Sequence, residues 1–149
     1  MKTFVKPFSA LTPDELYEIL RARGIVFLLE QHIHYLDMDG TDCQALHVFM
    51  RDGEAVVAYA RIFPGDAEGE VHMGRVLTTR RGEGLGRMVV EAALEAAFGK
   101  MKARFVSLDS QSYVAEFYRH LGFRQVSDEF VLEGIPHVRM EMEKGESVS

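Results

Sequence analysis

One cysteine among 149 residues leaves Cys43 without a partner for an internal disulfide, which excludes a disulfide-built scaffold and fits a reducing compartment. No apolar run approaches the ~18 residues that would suggest a membrane span. The N-terminal segment Met1-Lys2-Thr3-Phe4-Val5-Lys6-Pro7 is interrupted by Lys6 and Pro7 before a signal-peptide core can form, so the expectation is a cytoplasmic chain with no membrane partner. Basic charge is in deficit, with 17 Lys and Arg against 23 Asp and Glu and a net charge of -6. That balance argues against a nucleic-acid binder, whose affinity rests on neutralising phosphates. Internal repeats and low-complexity stretches are also missing, and only residues 144–149 read as a loose tail, leaving one domain over 1–143.

Several chemistries lack their residues. The six histidines show no paired metal-ligand spacing, with His32 and His34 suited to a metal only in an extended segment, so no metal is expected. The acidic run Asp37-Met38-Asp39-Gly40-Thr41-Asp42 fails as a calcium loop: with Gly40 sixth, Tyr35 falls first and Leu46 twelfth, where oxygen ligands are required. Ser107, Ser110 and Ser112 have no Gly-x-Ser-x-Gly elbow. Cys43 sits among acidic residues, which argues against a reactive thiolate.

What is present is 47% hydrophobic and 27% charged residues, enough apolar content for a core at this length. Thr12-Pro13-Asp14-Glu15 reads as a capping box opening a helix, with Leu16, Ile19 and Leu20 facing inward and Gly24 separating it from a second short helix through Phe27 and Glu30. Strands are expected over Ala45–Met50, Ala55–Phe63 and Glu70–Thr78, the first two joined at Asp52-Gly53. From Gly84 the spacing of Leu85, Met88, Val89, Ala92, Ala93, Ala96 and Ala97 predicts a helix ended by Gly99. A strand over Arg104–Asp109, a helix over Val114–Leu121 and a final strand pair, Phe123–Val131 with His137–Met142, complete an α+β domain.

Its middle contains strand, glycine-rich turn, helix, strand. The turn Arg81-Gly82-Glu83-Gly84-Leu85-Gly86 runs straight into the helix, so unpaired N–H groups gather at the positive end of the helix dipole and suit a pyrophosphate. Arg75, Arg80, Arg81 and Arg87 would add local positive charge. A solvated turn at a helix start is the plain alternative. The spacing rejects a P-loop, since Arg87 and Met88 follow Gly86, and a dinucleotide fingerprint, since no third glycine falls three residues after a Gly-x-Gly pair.

Arg81, Gly84 and Gly86 instead match the Arg-x-x-Gly-x-Gly signature of the GNAT acetyltransferases, which the chain resembles a second time at Ala115-Glu116-Phe117-Tyr118-Arg119-His120-Leu121-Gly122-Phe123. It resembles the ElaA-like branch through Arg23, Val26-Phe27, Glu30-Gln31, Tyr35-x-Asp37-x-Asp39-Gly40, Tyr59-Ala60-Arg61, Gly74-Arg75-Val76 and Gly134-Ile135-Pro136-His137, over most of residues 16–142. It departs from that branch at Gly24 and Ile33-His34, where cysteines are usual, and in a shorter loop between Val76 and Arg81. The resemblance implies a mixed, mostly antiparallel central sheet, splayed between two parallel strands and flanked by helices. It also implies acetyl-CoA as co-substrate, held by Val76, Leu77, Thr78, Arg81, Gly82, Glu83, Gly84, Leu85, Gly86, Arg87, Gln111 and Phe117, with the residue of 76–78 that meets the acetyl carbonyl left open.

Acyl transfer to an amine needs a neutral amine, support for the developing oxyanion and a proton for the thiolate. Tyr118 is the expected proton donor, its alternative being an aromatic packing residue beside Phe117 and Phe123. Glu70 and His72, two apart on one strand and so on one face, are candidate proton relays or surface residues. Glu30 and His137 are further candidates from the resemblance, and Asp37 and Asp39 are expected to form either an acidic rim for a cationic amine or a turn stabilising its own backbone. The acceptor is expected to be a small-molecule or peptide amine, and a homodimer is left open. A catalytically silent acetyl-CoA-binding module and a protein-interaction domain are the competing readings.

Overall fold

A computed structural model describes residues Met1 to Gly145. The earlier tail expectation lies, from residue 146 onward, outside the described residues. Among the described residues eight strands form one sheet in the order β1-β2-β3-β4-β5-β8-β6, with β7 also paired to β8. They are β1 (Lys2–Pro7), β2 (Leu46–Asp52), β3 (Ala55–Pro64), β4 (Glu70–Thr78), β5 (Phe105–Gln111), β6 (Arg124–Gln125), β7 (Phe130–Leu132) and β8 (Ile135–Glu143). Among the described residues the α-helices are α1 (Pro13–Arg23), α2 (Leu85–Gly99) and α3 (Ala115–His120). All pairings are antiparallel except β4 with β5, which α2 connects as a crossover. This is the mixed, mostly antiparallel sheet with one parallel pair that the resemblance implies.

The helices divide the hydrophobic residues into two layers. On one face α2 contributes Val89, Val90, Ala93 and Ala97, all fully buried, to a core that also holds Val71, Met73, Val106, Leu108, Met140 and Met142. Small alanines let the helix approach the strands closely, which favours dispersion contacts across the whole stripe. On the other face α1 covers β2 and β3 through Ile19, Ala22, Phe49, Tyr59 and Leu77. The α1 start is the capping box anticipated from Thr12: its hydroxyl accepts from Glu15 N–H at 3.1 Å, and the Glu15 carboxylate accepts from Thr12 N–H at 2.9 Å.

Three expectations change. Gly24 does not break the helix; it has right-handed φ/ψ of -62° and -43°, and the chain continues as a π-helical segment, Gly24–Glu30, anchored by buried Val26. The single strand expected over Phe123–Val131 is split into β6 and β7. Ser127 is the cause: its hydroxyl accepts from Arg139 N–H at 2.9 Å, so a side chain replaces a ladder bond there. Finally, β1 was not foreseen. It pairs along all six residues with β2, and Phe4 stacks on Phe49 with ring centroids 5.2 Å apart.

Candidate active site

The parallel pair that positions the site is short. Only Glu70, Val71 and His72 of β4 pair with Phe105, Val106 and Ser107 of β5. From Met73 and Leu108 onward the two strands have no mutual pairing, and each holds to its outer neighbour, β4 to β3 and β5 to β8. The result is a V-shaped gap in the sheet. Within β4 a bulge sets both Arg75 and Val76 opposite Ala60, and Arg75 takes a left-handed φ of 54°. Beyond the bulge Thr79 N–H donates to Val57 O at 2.9 Å. Backbone groups alternate along a strand, so Leu77 N–H also turns to β3 while those of Val76 and Thr78 turn into the gap. Leu77 contributes its side chain to the α1-side core, which removes it from the residues expected to touch an acyl group.

The glycine-rich turn lies at the wide end of the gap. Gly82 and Gly84 have φ of 77° and 72°, a conformation that other L-residues adopt only at a cost. Leu85 is buried and pins the first turn of α2 to the core. Among the described residues no acceptor meets the backbone N–H groups from Arg81 to Arg87, and α2 has no side-chain cap. A Cβ at Gly82 or Gly84 would meet nothing within 4 Å, so the turn is open on that side. These donors at a helix N-terminus fit a phosphate.

The arginines divide differently from the expectation of four around one anion. Arg75 is turned away by the bulge, with Nε donating to Asp37 at 2.8 Å, and Arg80 pairs with Asp52 at 2.7 Å. Arg81 is exposed with no acidic partner among the described residues, and Arg87 is 3.5 Å from Glu91. Glu83 is exposed beside Arg80.

Helix α3 closes the gap from the α2 side. A Cβ on Gly86 would lie 3.4 Å from Phe117 Cζ and 3.7 Å from Thr78 Cγ2, so the end of β4, the start of α2 and Phe117 meet at one place. Tyr118 follows, buried between Phe117 and Phe123 in edge-on contacts at 5.0 and 5.7 Å. Its hydroxyl has no hydrogen-bond partner among the described residues, and burial pushes its pKa above the usual phenol range, so it is a neutral donor at any physiological pH.

The opposite side of the sheet is polar where β4, β5 and β8 meet. Glu70, His72, Ser107, Asp109, Gln111, His137, Arg139 and Glu141 share one face by strand alternation and cross-strand register. Glu70 is buried; it accepts from Ser107 Oγ at 2.5 Å, Arg139 Nη2 at 2.9 Å and Ala67 N–H at 3.1 Å. Burial raises its pKa, but the hydrogen bonds and the Arg139 charge outweigh it and leave a net lowering, so Glu70 is an ion-paired anion. His72 Nδ1 is 2.8 Å from Ser107 Oγ, and its Nε2 is 3.8 Å from Asp109. His137 is buried and donates from Nδ1 to Ile135 O at 2.7 Å. Glu30 is exposed at the end of the π-helical segment, and the adjoining Gln31 accepts from Gln111 Nε2 at 3.1 Å, tying that segment to the end of β5.

Asp37 and Asp39 do not form an open acidic rim. Asp37 accepts from Arg23 at 2.9 Å and Arg75 at 2.8 Å, while Asp39 pairs with Arg61 at 2.7 Å. Asp42 joins them, receiving Arg23 and Arg61 at 2.7 and 2.9 Å. Arg61 chiefly, through its hydrogen bond, holds the Asp39 carboxyl well below the usual carboxylate range. Charges so engaged anchor the loop instead of attracting a distant cation.

A family described as the acetyltransferase (GNAT) domain matches residues 27–144. The chain belongs to the GNAT acetyltransferases. Protein ElaA of Escherichia coli is 34% identical over 91% of this chain and 92% of its own, and its crystal structure superposes with a TM-score of 0.88 at 95% and 99% coverage. A UPF0039 protein of Synechocystis is 36% identical over 89% of both chains. An acyl-CoA N-acyltransferase from Pseudomonas aeruginosa has a TM-score of 0.88 at 30% identity, covering 95% and 99% of the two chains.

In this GNAT chain the polar face contains residues that sequence reading passed over. The sequence alone suggests for Ser107 only a hydrolase nucleophile without its elbow, and marks neither Asp109 nor Arg139. A signal existed: Ser107, Asp109 and Gln111 alternate with Val106, Leu108 and Ser110, as Arg139 and Glu141 alternate with Met140 and Met142. Polar residues on one face of a central strand need either cover or a role. Among the described residues no group of three or more His, Cys, Asp or Glu is placed to hold a metal, and no helix is long and apolar enough to cross a membrane.

Proposed function

We propose that this GNAT chain transfers the acetyl group of acetyl-CoA directly to a primary amine of a small molecule or peptide. The observation that carries the reading is the meeting, at the wide end of the gap, of the end of β4 at Thr78, the uncapped start of α2 and Phe117 of α3, the helix that also carries Tyr118. The turn from Arg81 to Arg87 binds the pyrophosphate, Phe117 and Gly86 border the pantetheine arm, and the amine enters over the polar face of β4, β5 and β8. Val76 or Thr78 N–H supports the developing oxyanion without reorganisation, as a preorganised donor does.

The amine loses one proton to the polar face, for which His72 is the leading candidate. Its nitrogen attacks the thioester carbon, the C–N bond forms, and the C–S bond breaks. Tyr118 donates to the departing thiolate and is restored by the second amine proton. Burial raises the Tyr118 pKa, and the same dry surroundings raise that of the thiol, so the pair remain matched for transfer.

The test is a thermal shift with acetyl-CoA and with CoA, followed by thiol release over a panel of amines, polyamines and peptides. Stabilisation by acetyl-CoA and release with at least one amine are expected. Binding without release on any amine would instead favour a silent acetyl-CoA-binding module.

A further inference from the structure

Resting on the acetyl-transfer reading, the chain of contacts Glu70, Ser107, His72 determines where the histidine's proton sits. Glu70 Oε2 is an acceptor only, because its carboxyl already receives Arg139 and Ala67 N–H. Ser107 has one proton, and at 2.5 Å from that oxygen it donates there. The Ser107 oxygen is then free only to accept, and the atom 2.8 Å away is His72 Nδ1. A hydrogen bond at that distance requires the proton on Nδ1. Nε2 is therefore the bare nitrogen. It faces Asp109 at 3.8 Å, too far for a hydrogen bond but near enough for charge attraction once the ring is protonated.

His47 shows that the fold imposes the opposite tautomer elsewhere. Its Nε2 lies 2.8 Å from the Asp42 carbonyl, which can only accept, so the proton is on Nε2 and Nδ1 accepts from Tyr59 at 2.7 Å. That ring is fully buried with both nitrogens satisfied by the protein. His72 differs in leaving its unprotonated nitrogen on the open face, beside a half-exposed carboxylate.

We propose that Ser107 and Glu70 are positioning residues that lock His72 as the Nδ1–H tautomer, so that Nε2 is the atom that takes the proton of the acceptor ammonium and Asp109 stabilises the resulting imidazolium. The step moves one proton from the ammonium to Nε2. Nδ1 keeps its own, Ser107 keeps its hydroxyl proton, Glu70 stays an unprotonated carboxylate, and the imidazolium returns its proton to solvent after transfer. No covalent bond to the protein forms. Glu70 is thus excluded as the base by its ion pair with Arg139, while its charge is what orients the base. The groups that face His72 are Glu70 on its own strand, Arg61 on β3, Asp109 on β5 and Arg139 on β8. Burial lowers its pKa and outweighs the opposing pull of Asp109, so the ring is neutral and able to accept a proton under working conditions.

The experiment is two-bond 1H–15N correlation spectroscopy on 15N-histidine-labelled full-length protein at about pH 8, above the ordinary histidine range. It needs neither acetyl-CoA nor an amine. His72 is expected to report a protonated Nδ1 and a bare Nε2, assigned by its loss in His72→Gln. In Ser107→Ala the Nδ1–H share falls, and kcat/KM drops about tenfold while acetyl-CoA affinity is unchanged; Ser107→Thr, which keeps the hydroxyl, retains the tautomer. An Nε2–H signal in the unaltered protein would overturn the proposal, as would a tautomer unmoved in folded Ser107→Ala. Should Ser107→Ala not fold, the unaltered protein's spectrum decides alone. Failure of every amine to release thiol would defeat the acetyl-transfer reading and leave the tautomer result standing.

Discussion

Tyr118 is held by packing and not by polar contacts, which makes its oxygen separable from its ring. The edge-on contacts to Phe117 and Phe123 involve only the aromatic carbons, and the hydroxyl has no protein partner among the described residues whose loss would strand a buried group. Tyr118→Phe therefore preserves the ring's place between α3 and β6. It should leave stability within about 0.5 kcal/mol of the unaltered protein and acetyl-CoA binding intact, while lowering turnover at least about tenfold. Steady-state kinetics with a responsive amine, beside a thermal melt, measure both. Unchanged turnover would return Tyr118 to the role of a packing residue.

Elements differ in how much of their geometry is local, and this decides what could be read from sequence. The capping box at Thr12 and the apolar stripe of α2 depend on neighbours three or four residues apart, so their pattern was visible. The β1 strand depends on β2, about forty residues on in the chain, and a short edge segment carries no period of its own. Gly24 looked like punctuation, yet glycine tolerates helical φ as readily as a break, and Val26 packing settles the matter. At the site, the turn was legible because glycine spacing states its backbone need. The arginines were not: Arg75 and Asp37 are 38 residues apart, and the bulge that brings them together is a matter of register. At the turn the reading can be checked directly. Gly84 precedes α2 with φ of 72°, so Gly84→Ala should destabilise by about 1–2 kcal/mol and weaken acetyl-CoA binding. Gly86 lies inside the helix, where an added methyl reaches ordinary contact with Phe117 at 3.4 Å. Gly86→Ala should therefore keep or gain stability, by up to about 1 kcal/mol, yet lose acetyl-CoA affinity because the methyl stands between Thr78 and Phe117. Urea titrations with and without acetyl-CoA separate the two effects; equal stability losses in both variants would contradict the assigned backbone conformations.

Across the whole molecule several hydrogen-bonded titratable groups fall into two classes that respond to acid in sequence. His47 and His72 are held below the ordinary histidine range, in both cases because burial disfavours the charged ring. The unfolded chain thus binds protons at these sites before the folded one does, and their contribution, complete above about pH 6.5, is lost as the pH falls through the folded values. For His47 the loss has a structural cause: a proton on Nδ1 would confront the Tyr59 hydroxyl that donates to it. Asp39, Asp42 and Glu70 form the second class. The Arg61 hydrogen bond dominates at Asp39, whereas at Asp42 and Glu70 burial acts upward and is outweighed by Arg23 and Arg61 in one case and by Ser107, Ala67 N–H and Arg139 in the other. Their stabilisation is present above the ordinary carboxylate range, about pH 4, and is lost below it, when protonation leaves Arg23 and Arg61 buried without counter-charge. Urea midpoints should accordingly be level from about pH 8 to 7, decline between about 6.5 and 4, and fall more steeply below that. His47→Gln should remove part of the first decline without altering the second. A protein that grew more stable on acidification from about pH 7 to 5 would show that these histidines are charged in the folded state, and the direction assigned to the His47–Tyr59 hydrogen bond would have to be reversed.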